Sequence, residues 1–196
     1  MDEGKRDGAG TGRSPFAGRF VRLRAMEEDD LRRVNDLFWD PGVTAGVGAG
    51  WPEPLEGTHA FWEGSRANPN SELFAIESLD GGELVGACSL FDISERNRSA
   101  VLGIWIGRPF WDRGYGTEAV RTLCRLAFDE LNLRRLSLSV YESNPRAHRA
   151  YEKVGFVDEG RSRRAQLVEG RFVDEIHMGL LAGELVDDPA RDQPGD

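Results

Sequence analysis

The sequence predicts a mixed α/β fold: one domain built on a central, mostly antiparallel mixed sheet flanked by helices. Three observations carry this reading. Helical patterns come early, alternating strands joined by turn residues fill the middle, and one strand–helix–strand unit lies in the second half. A chain of 196 residues suits one domain, and 39% hydrophobic residues suffice for a sizeable core. The domain is expected over residues 18–182. Residues 1–17, rich in Gly, Arg and Asp, and the acidic residues 183–196 read as loose tails.

Each element has its own signal. Phe20 to Arg24 alternates apolar and basic residues, as a strand does. Glu27 to Trp39 carries acidic residues in its first turn and Leu31, Val34, Leu37 and Phe38 at helical spacing, and should end before Pro41. Gly42 to Gly50 is Gly-rich and reads as a mobile loop, with a short second helix from His59 to Arg66. Leu73 to Leu79 and Leu84 to Phe91 flank Asp80-Gly81-Gly82, the pattern of an antiparallel hairpin. Ala100 to Ile106 follows a turn at Arg96-Asn97-Arg98. After Gly116, the residues Val120, Leu123, Ala127 and Leu131 share one helix face. Arg135 to Tyr141 alternates again. Pro145 to Val154 is helical, with Asn144 a candidate N-cap, Pro145 at the favoured first position and Gly155 as the stop. Strands at Phe156 to Arg161 and Phe172 to Leu180 close the domain.

Composition excludes some functions. A net charge of −9 argues against unspecific nucleic-acid binding, which needs Lys and Arg against phosphates. It suits a cationic substrate such as an amine, or simply a solvated acidic surface. No apolar run approaches the roughly 20 residues that span a bilayer, and the polar N-terminus has no apolar signal core. The expected location is the cytoplasm, with no membrane partner. The two cysteines, Cys88 and Cys124, sit in apolar segments and suggest buried thiols rather than a disulfide framework.

The sharpest motif is Trp111-Asp112-Arg113-Gly114-Tyr115-Gly116-Thr117-Glu118-Ala119, between a strand and a helix. Gly114 and Gly116 permit backbone angles that aim several N–H groups at one point, and the helix start adds unpaired donors and a positive dipole end. Arg113 adds a full charge. Such a loop suits a pyrophosphate; a plain glycine turn remains the alternative. A dinucleotide fingerprint fits poorly, because Gly107 to Arg113 separates the motif from its strand and Arg135 to Val140 lacks the ribose-binding carboxylate. A Walker loop is excluded by the lack of Gly-Lys-Ser/Thr in the region. The second constellation runs Asn144-Pro145-Arg146-Ala147-His148-Arg149-Ala150-Tyr151-Glu152-Lys153-Val154-Gly155-Phe156.

Together the two segments resemble the GNAT superfamily of N-acetyltransferases. Its motifs are R/Q-x-x-G-x-G/A at a helix start and an Asn followed seven residues later by Tyr inside Y-E-K-x-G-F. The likeness extends over roughly Phe20 to Leu180. It is nearest the branch of ribosomal-protein alanine N-acetyltransferases and spermidine N-acetyltransferases. The resemblance implies acetyl-CoA as co-substrate and direct transfer to a primary or N-terminal amine, on a small molecule or a peptide, through a ternary complex. It places the pantetheine arm against the backbone of Ile104, Trp105 and Ile106. The diphosphate falls on Trp111, Asp112, Arg113, Gly114, Tyr115, Gly116 and Thr117, and Asn144 and Ala147 lie beside the cofactor. Tyr151 would give a proton to the departing thiolate; a phenol is protonated at neutral pH and available. Relatives are often homodimers.

Two positions depart from the family pattern. Trp111 stands where the leading Arg or Gln is usual. Val101 stands where many relatives of this branch carry a Glu as candidate base. The base is therefore unassigned, with Glu72, Asp92, Glu142 or a water relay open. Asn144 reads as a cap, a cofactor contact, or both, while His148 reads as a surface residue. His59 and His177 look isolated, and no metal-ligand spacing appears. The rival function is a non-catalytic acyl-CoA-binding or regulatory module, which Val101 favours.

Overall fold

The computed structural model describes residues 14–186. Seven strands form one sheet in the order β1-β2-β3-β4-β5-β7-β6. They are β1 (Val21–Ala25), β2 (Glu72–Ser78), β3 (Leu84–Ser94), β4 (Ser99–Ile106), β5 (Arg135–Tyr141), β6 (Val157–Val168) and β7 (Arg171–Leu181). The helices are α1 (Leu31–Phe38), α2 (Pro41–Val47), α3 (Leu55–Ala67), α4 (Tyr115–Arg125) and α5 (Pro145–Glu152). All neighbouring strands run antiparallel except β4 and β5, the parallel pair joined through α4. No helix among the described residues is long and apolar enough to cross a membrane.

The alternation read in the sequence explains the layers. On one face, Val21, Leu23, Ile76, Cys88, Leu90, Leu102, Leu136, Leu138, Val140, Met178 and Leu180 are buried in the core shared with Val120, Leu123 and Tyr151 of α4 and α5. The opposite face carries Trp105, against whose ring Phe38 of α1 packs edge-on at 5.4 Å. The sheet therefore separates α4 and α5 from the early helices.

Three expectations change. Gly42 to Gly50 is largely helix, not a loop: Asp40 caps α2 by accepting the Gly42 N–H at 2.8 Å, Pro41 opens it, and Gly48 ends it at φ 68. The glycines misled because their cost in a helix is local, whereas the gain comes from docking against distant residues. Leu131 leaves the face of Val120, Leu123 and Ala127 and is 40% exposed. A π-helical turn over Leu126–Glu130 follows α4, and its extra residue rotates Leu131 outward. The inner ends of both expected tails are packed. Phe16 stacks with Phe74 at 6.3 Å, and the carbonyl of Val186 accepts from Arg121 Nε at 3.0 Å. The rest of those tails lies outside the described residues.

Candidate active site

The parallel pair is short. β4 and β5 pair only at Ser99 with Arg135, Ala100 with Leu136 and Val101 with Ser137, yet both strands continue, to Ile106 and Tyr141. Beyond Val101 they splay. Gly107 donates its N–H to Val85 of β3 at 2.8 Å, so by alternation Trp105 faces β3 while Leu102, Ile104 and Ile106 turn their N–H and C=O toward the opening. The indole of Trp111 donates to the Ile106 carbonyl at 2.7 Å and closes the top of the strand.

A cavity of about 980 Å³ occupies the splay and reaches both faces of the sheet. On the α4/α5 side its wall includes Asp112, Gly114, Tyr115, Gly116, Thr117, Asn144, Ala147 and Tyr151. On the other side it includes Phe38, Trp39, Phe61, Phe91, Trp105 and Tyr141. Trp111, Ile104 and Ile106 line it as well. Of the residues read from sequence, Arg113 is the exception: it is exposed and stacks over Phe110, 5.8 Å from the ring centroid.

The helix-start loop has the conformation an anion site needs. Asp112 (φ 59) and Gly114 (φ 82) take left-handed backbone angles, and Gly114 caps α4 without any side chain. The amides of Tyr115, Gly116 and Thr117 in the first helical turn are then left without helical acceptors. Gly116 is informative. A Cβ there would meet nothing nearer than Ile106 Cγ1 at 3.6 Å, an ordinary contact. Packing does not demand this glycine.

Across the opening, α5 is placed by its N-cap, where the Asn144 side chain accepts from the Ala147 N–H at 3.2 Å. The capping reading of Asn144 is thus observed, at a position that also lines the cavity. α2 lies against both walls. A Cβ on Gly42 would come within 3.0 Å of the Trp111 ring, on Gly46 within 2.9 Å of Asn144 Nδ2, and on Gly48 within 3.3 Å of several Tyr141 ring atoms.

A model of the acetyltransferase (GNAT) domain matches residues 21–157, well over half of the chain. The chain is a GNAT acetyltransferase. It is 34% identical to the putative ribosomal N-acetyltransferase YdaF of Bacillus subtilis, over 84% of this chain and 92% of that protein. It is 28% identical to the spermidine N(1)-acetyltransferase of Vibrio cholerae, over 85% and 95% of the two chains. The structure of the Vibrio cholerae spermidine N-acetyltransferase with CoA and spermine superposes with a TM-score of 0.78. That match has 26% identity and covers 84% of this chain and 96% of that one. The acetyltransferase thus uses acetyl-CoA and acetylates amines.

Within the acetyltransferase, Tyr151 is buried, and loss of hydration pushes its phenol up to about 12. It therefore keeps its proton throughout the neutral range. Cys88 also lines the cavity, but burial raises its thiol far above the ordinary range, so it is no thiolate nucleophile. The histidines separate clearly. His148 is held at the surface by Asp158, 2.8 Å from Nε2. His177, which looks isolated in the sequence, is bonded through both ring nitrogens to Ser139 and Ser162.

The open base assignment also changes. Val101 is 37% exposed, and the cavity wall on β4 begins one residue later at Leu102. Glu72, Asp92 and Glu142 do not line the cavity, and Glu142 is tied to Arg161 at 2.8 Å. The carboxylates that do line it on the side away from α4 and α5 are Glu53 and Glu175. No local signal marked them. Glu175 reaches the cavity through the pairing of Tyr141 with Glu175 across β5 and β7, which links residues 34 apart in the chain.

Proposed function

We propose that the acetyltransferase holds the diphosphate of acetyl-CoA on the amides of Gly114 to Thr117. The pantetheine arm lies along the free edge of β4, and the acetyl group reaches through the splay to an amine on the opposite face. The observation that carries this reading is the early end of β4–β5 pairing, which leaves Ile104 and Ile106 with main-chain groups aimed into the opening. Their amides supply donors for the arm or for the developing oxyanion. Transfer is direct: Tyr151 protonates the departing sulfur, and no thiolate or activated elbow serine is placed to carry an acyl group. Removing the Tyr151 hydroxyl should lower amine-dependent CoA release. Undiminished release by Tyr151→Phe would remove that residue from the mechanism.

The acceptor side favours one amine on an apolar body. Phe38, Trp39, Phe61, Phe91, Trp105 and Tyr141 surround it, with Glu53 and Glu175 as its carboxylates. A polyamine with three or four ammonium groups would outnumber these two carboxylates and leave the remainder to the aromatic rings. The terminal amine of a peptide beginning with an apolar residue fits this wall, as does an arylalkyl amine. A panel of such peptides, arylalkyl amines and spermidine, read by CoA release, tests the assignment. Spermidine outpacing every apolar amine in kcat/KM would overturn it. A homodimer belongs to the same reading, and sedimentation of the full chain tests it.

A further inference from the structure

The transfer proposed above leaves one proton unplaced. An alkylammonium near pKa ~10 must lose a proton before its nitrogen can attack a thioester, and Tyr151 is a donor. Among the cavity-lining residues, Ser139 has an imidazole behind it. Ser139 Oγ lies 3.0 Å from His177 Nδ1, and His177 Nε2 lies 2.7 Å from Ser162 Oγ. The contact is built by register: β5 and β7 pair Ser139 with His177 and Tyr141 with Glu175, which puts all four side chains on the acceptor face. Ser139 stands two residues past Ser137, the last β5 residue paired to β4, and so at the throat of the splay.

We propose that Ser139 and His177 are the proton exit of the acetyltransferase; this rests on the transfer reading above. As the amine loses its proton to Ser139 Oγ, the hydroxyl proton of Ser139 passes to His177 Nδ1. The freed nitrogen pair forms the N–C bond, the C–S bond breaks toward a sulfur protonated by Tyr151, and the adduct nitrogen gives up its second proton to restore the Tyr151 phenol. His177 then releases its proton to solvent. The net change is one ammonium and one thioester to one amide, one thiol and one proton. In the tautomer that the relay requires, Nε2 donates to Ser162 Oγ and Nδ1 is open to receive from Ser139.

Glu175 does a different job. A carboxylate beside an ammonium favours the charged amine, so it anchors the acceptor rather than deprotonating it. Several other charges on the neighbouring strands are paired. From β5, Arg135 binds Glu159 of β6; from β6, Asp158 binds His148 and Arg161 binds Glu142 and Asp174. Tyr141 is held neutral by burial and by Glu175.

The test uses the full chain, the best amine of the panel, CoA release for rate and calorimetry for acetyl-CoA affinity. His177→Gln keeps a hydrogen-bonding side chain but cannot titrate. It should lose about 100-fold in kcat and the acid limb of the pH profile, with acetyl-CoA affinity within about twofold of native. Ser139→Ala should lose a similar factor and Ser139→Thr should recover part of it; this pair decides the matter if His177→Gln does not fold. Native-like kcat with the acid limb intact in either variant would reduce Ser139, His177 and Ser162 to a structural tie between strands. Acetylated Ser139 accumulating before amine is added would replace the relay by a covalent route. A native chain that binds acetyl-CoA but turns over no amine would overturn the transfer reading itself, and the relay with it. An active native chain with an unaffected His177→Gln overturns the relay alone.

Discussion

The guanidinium of Arg146 stacks on the Trp111 ring, 3.3 Å from its centroid, and so joins the first turn of α5 to the loop before α4. Both elements line the cavity. Burial lowers the Arg146 pKa while the nearby Asp112 carboxylate opposes that shift, and the side chain remains a cation. Replacing the Arg or Gln usual at position 111 by Trp therefore has a structural consequence: the ring caps the end of β4 and receives Arg146. Arg146→Leu should destabilise the fold by about 1 kcal/mol and hasten CoA dissociation. Thermal unfolding and stopped-flow release read the two effects; unchanged release would confine the stack to a structural role.

Substituting the phosphate loop separates binding from folding best at Gly116. Gly114→Val forces a β-branched residue to φ 82, which strains the backbone regardless of ligand. Gly116→Val meets only Ile106 at ordinary distance, so its melting temperature should stay near native while CoA affinity falls at least about tenfold. Calorimetry on the folded variant showing native affinity would sink the diphosphate site.

The buried phenol ties stability to alkaline pH. Tyr151 is raised to about 12 in the folded chain against an ordinary ~10 when unfolded. Its contribution is therefore complete below pH ~10 and is lost as pH climbs from there through about 12, because the unfolded chain ionises first. Relative to Tyr151→Phe, the native chain should lose up to about 3 kcal/mol across that window. Parallel denaturant melts at pH 8 and pH 11.5 check it.

An acid-side counterpart sits at the far edge of the sheet. The Arg24 hydrogen bond, at 2.7 Å, holds the Asp30 carboxyl below its ordinary range. Burial pushes Glu77 up, but its bonds to Arg24 and Arg22 outweigh this and hold it down. Both carboxylates thus stabilise the fold above the unfolded value of ~4, and that stability fades as pH falls through the lower folded values. Arg24→Met should cost about 2–3 kcal/mol at pH 7 and much less at pH 3. Urea midpoints at both pH values measure the difference.

Gly48 tests the role of α2. Any Cβ there would press on the Tyr141 ring and would have to hold φ 68. Gly48→Ala should shift α2 off the acceptor wall, raising KM for the amine several-fold while leaving acetyl-CoA affinity within about twofold. Equal losses for both substrates would show that α2 serves the fold as a whole.

Element types and the glycine bend before α4 were legible because they rest on short-range chemistry. Alternation marks β5 over Arg135–Tyr141, Asn144 and Pro145 open α5, and Gly114 with Gly116 opens α4, each within a few residues. The same short range explains the failures. Gly42 to Gly50 has local start and stop signals but a glycine-rich interior, and its glycines lie close to Trp111, Asn144 and Tyr141, far along the chain.

What the sequence determined by itself was the family pattern, the mixed sheet and the glycine bend that opens α4. Tertiary structure alone decided that β4 and β5 part after Val101, that Glu175 and Ser139 enter the cavity, and that His177 bonds to two serines. The physical reason is that strand register is a property of pairs. Which side chains share a face, and which amides go unpaired, depends on where distant strands meet, and no local run of residues encodes that by itself.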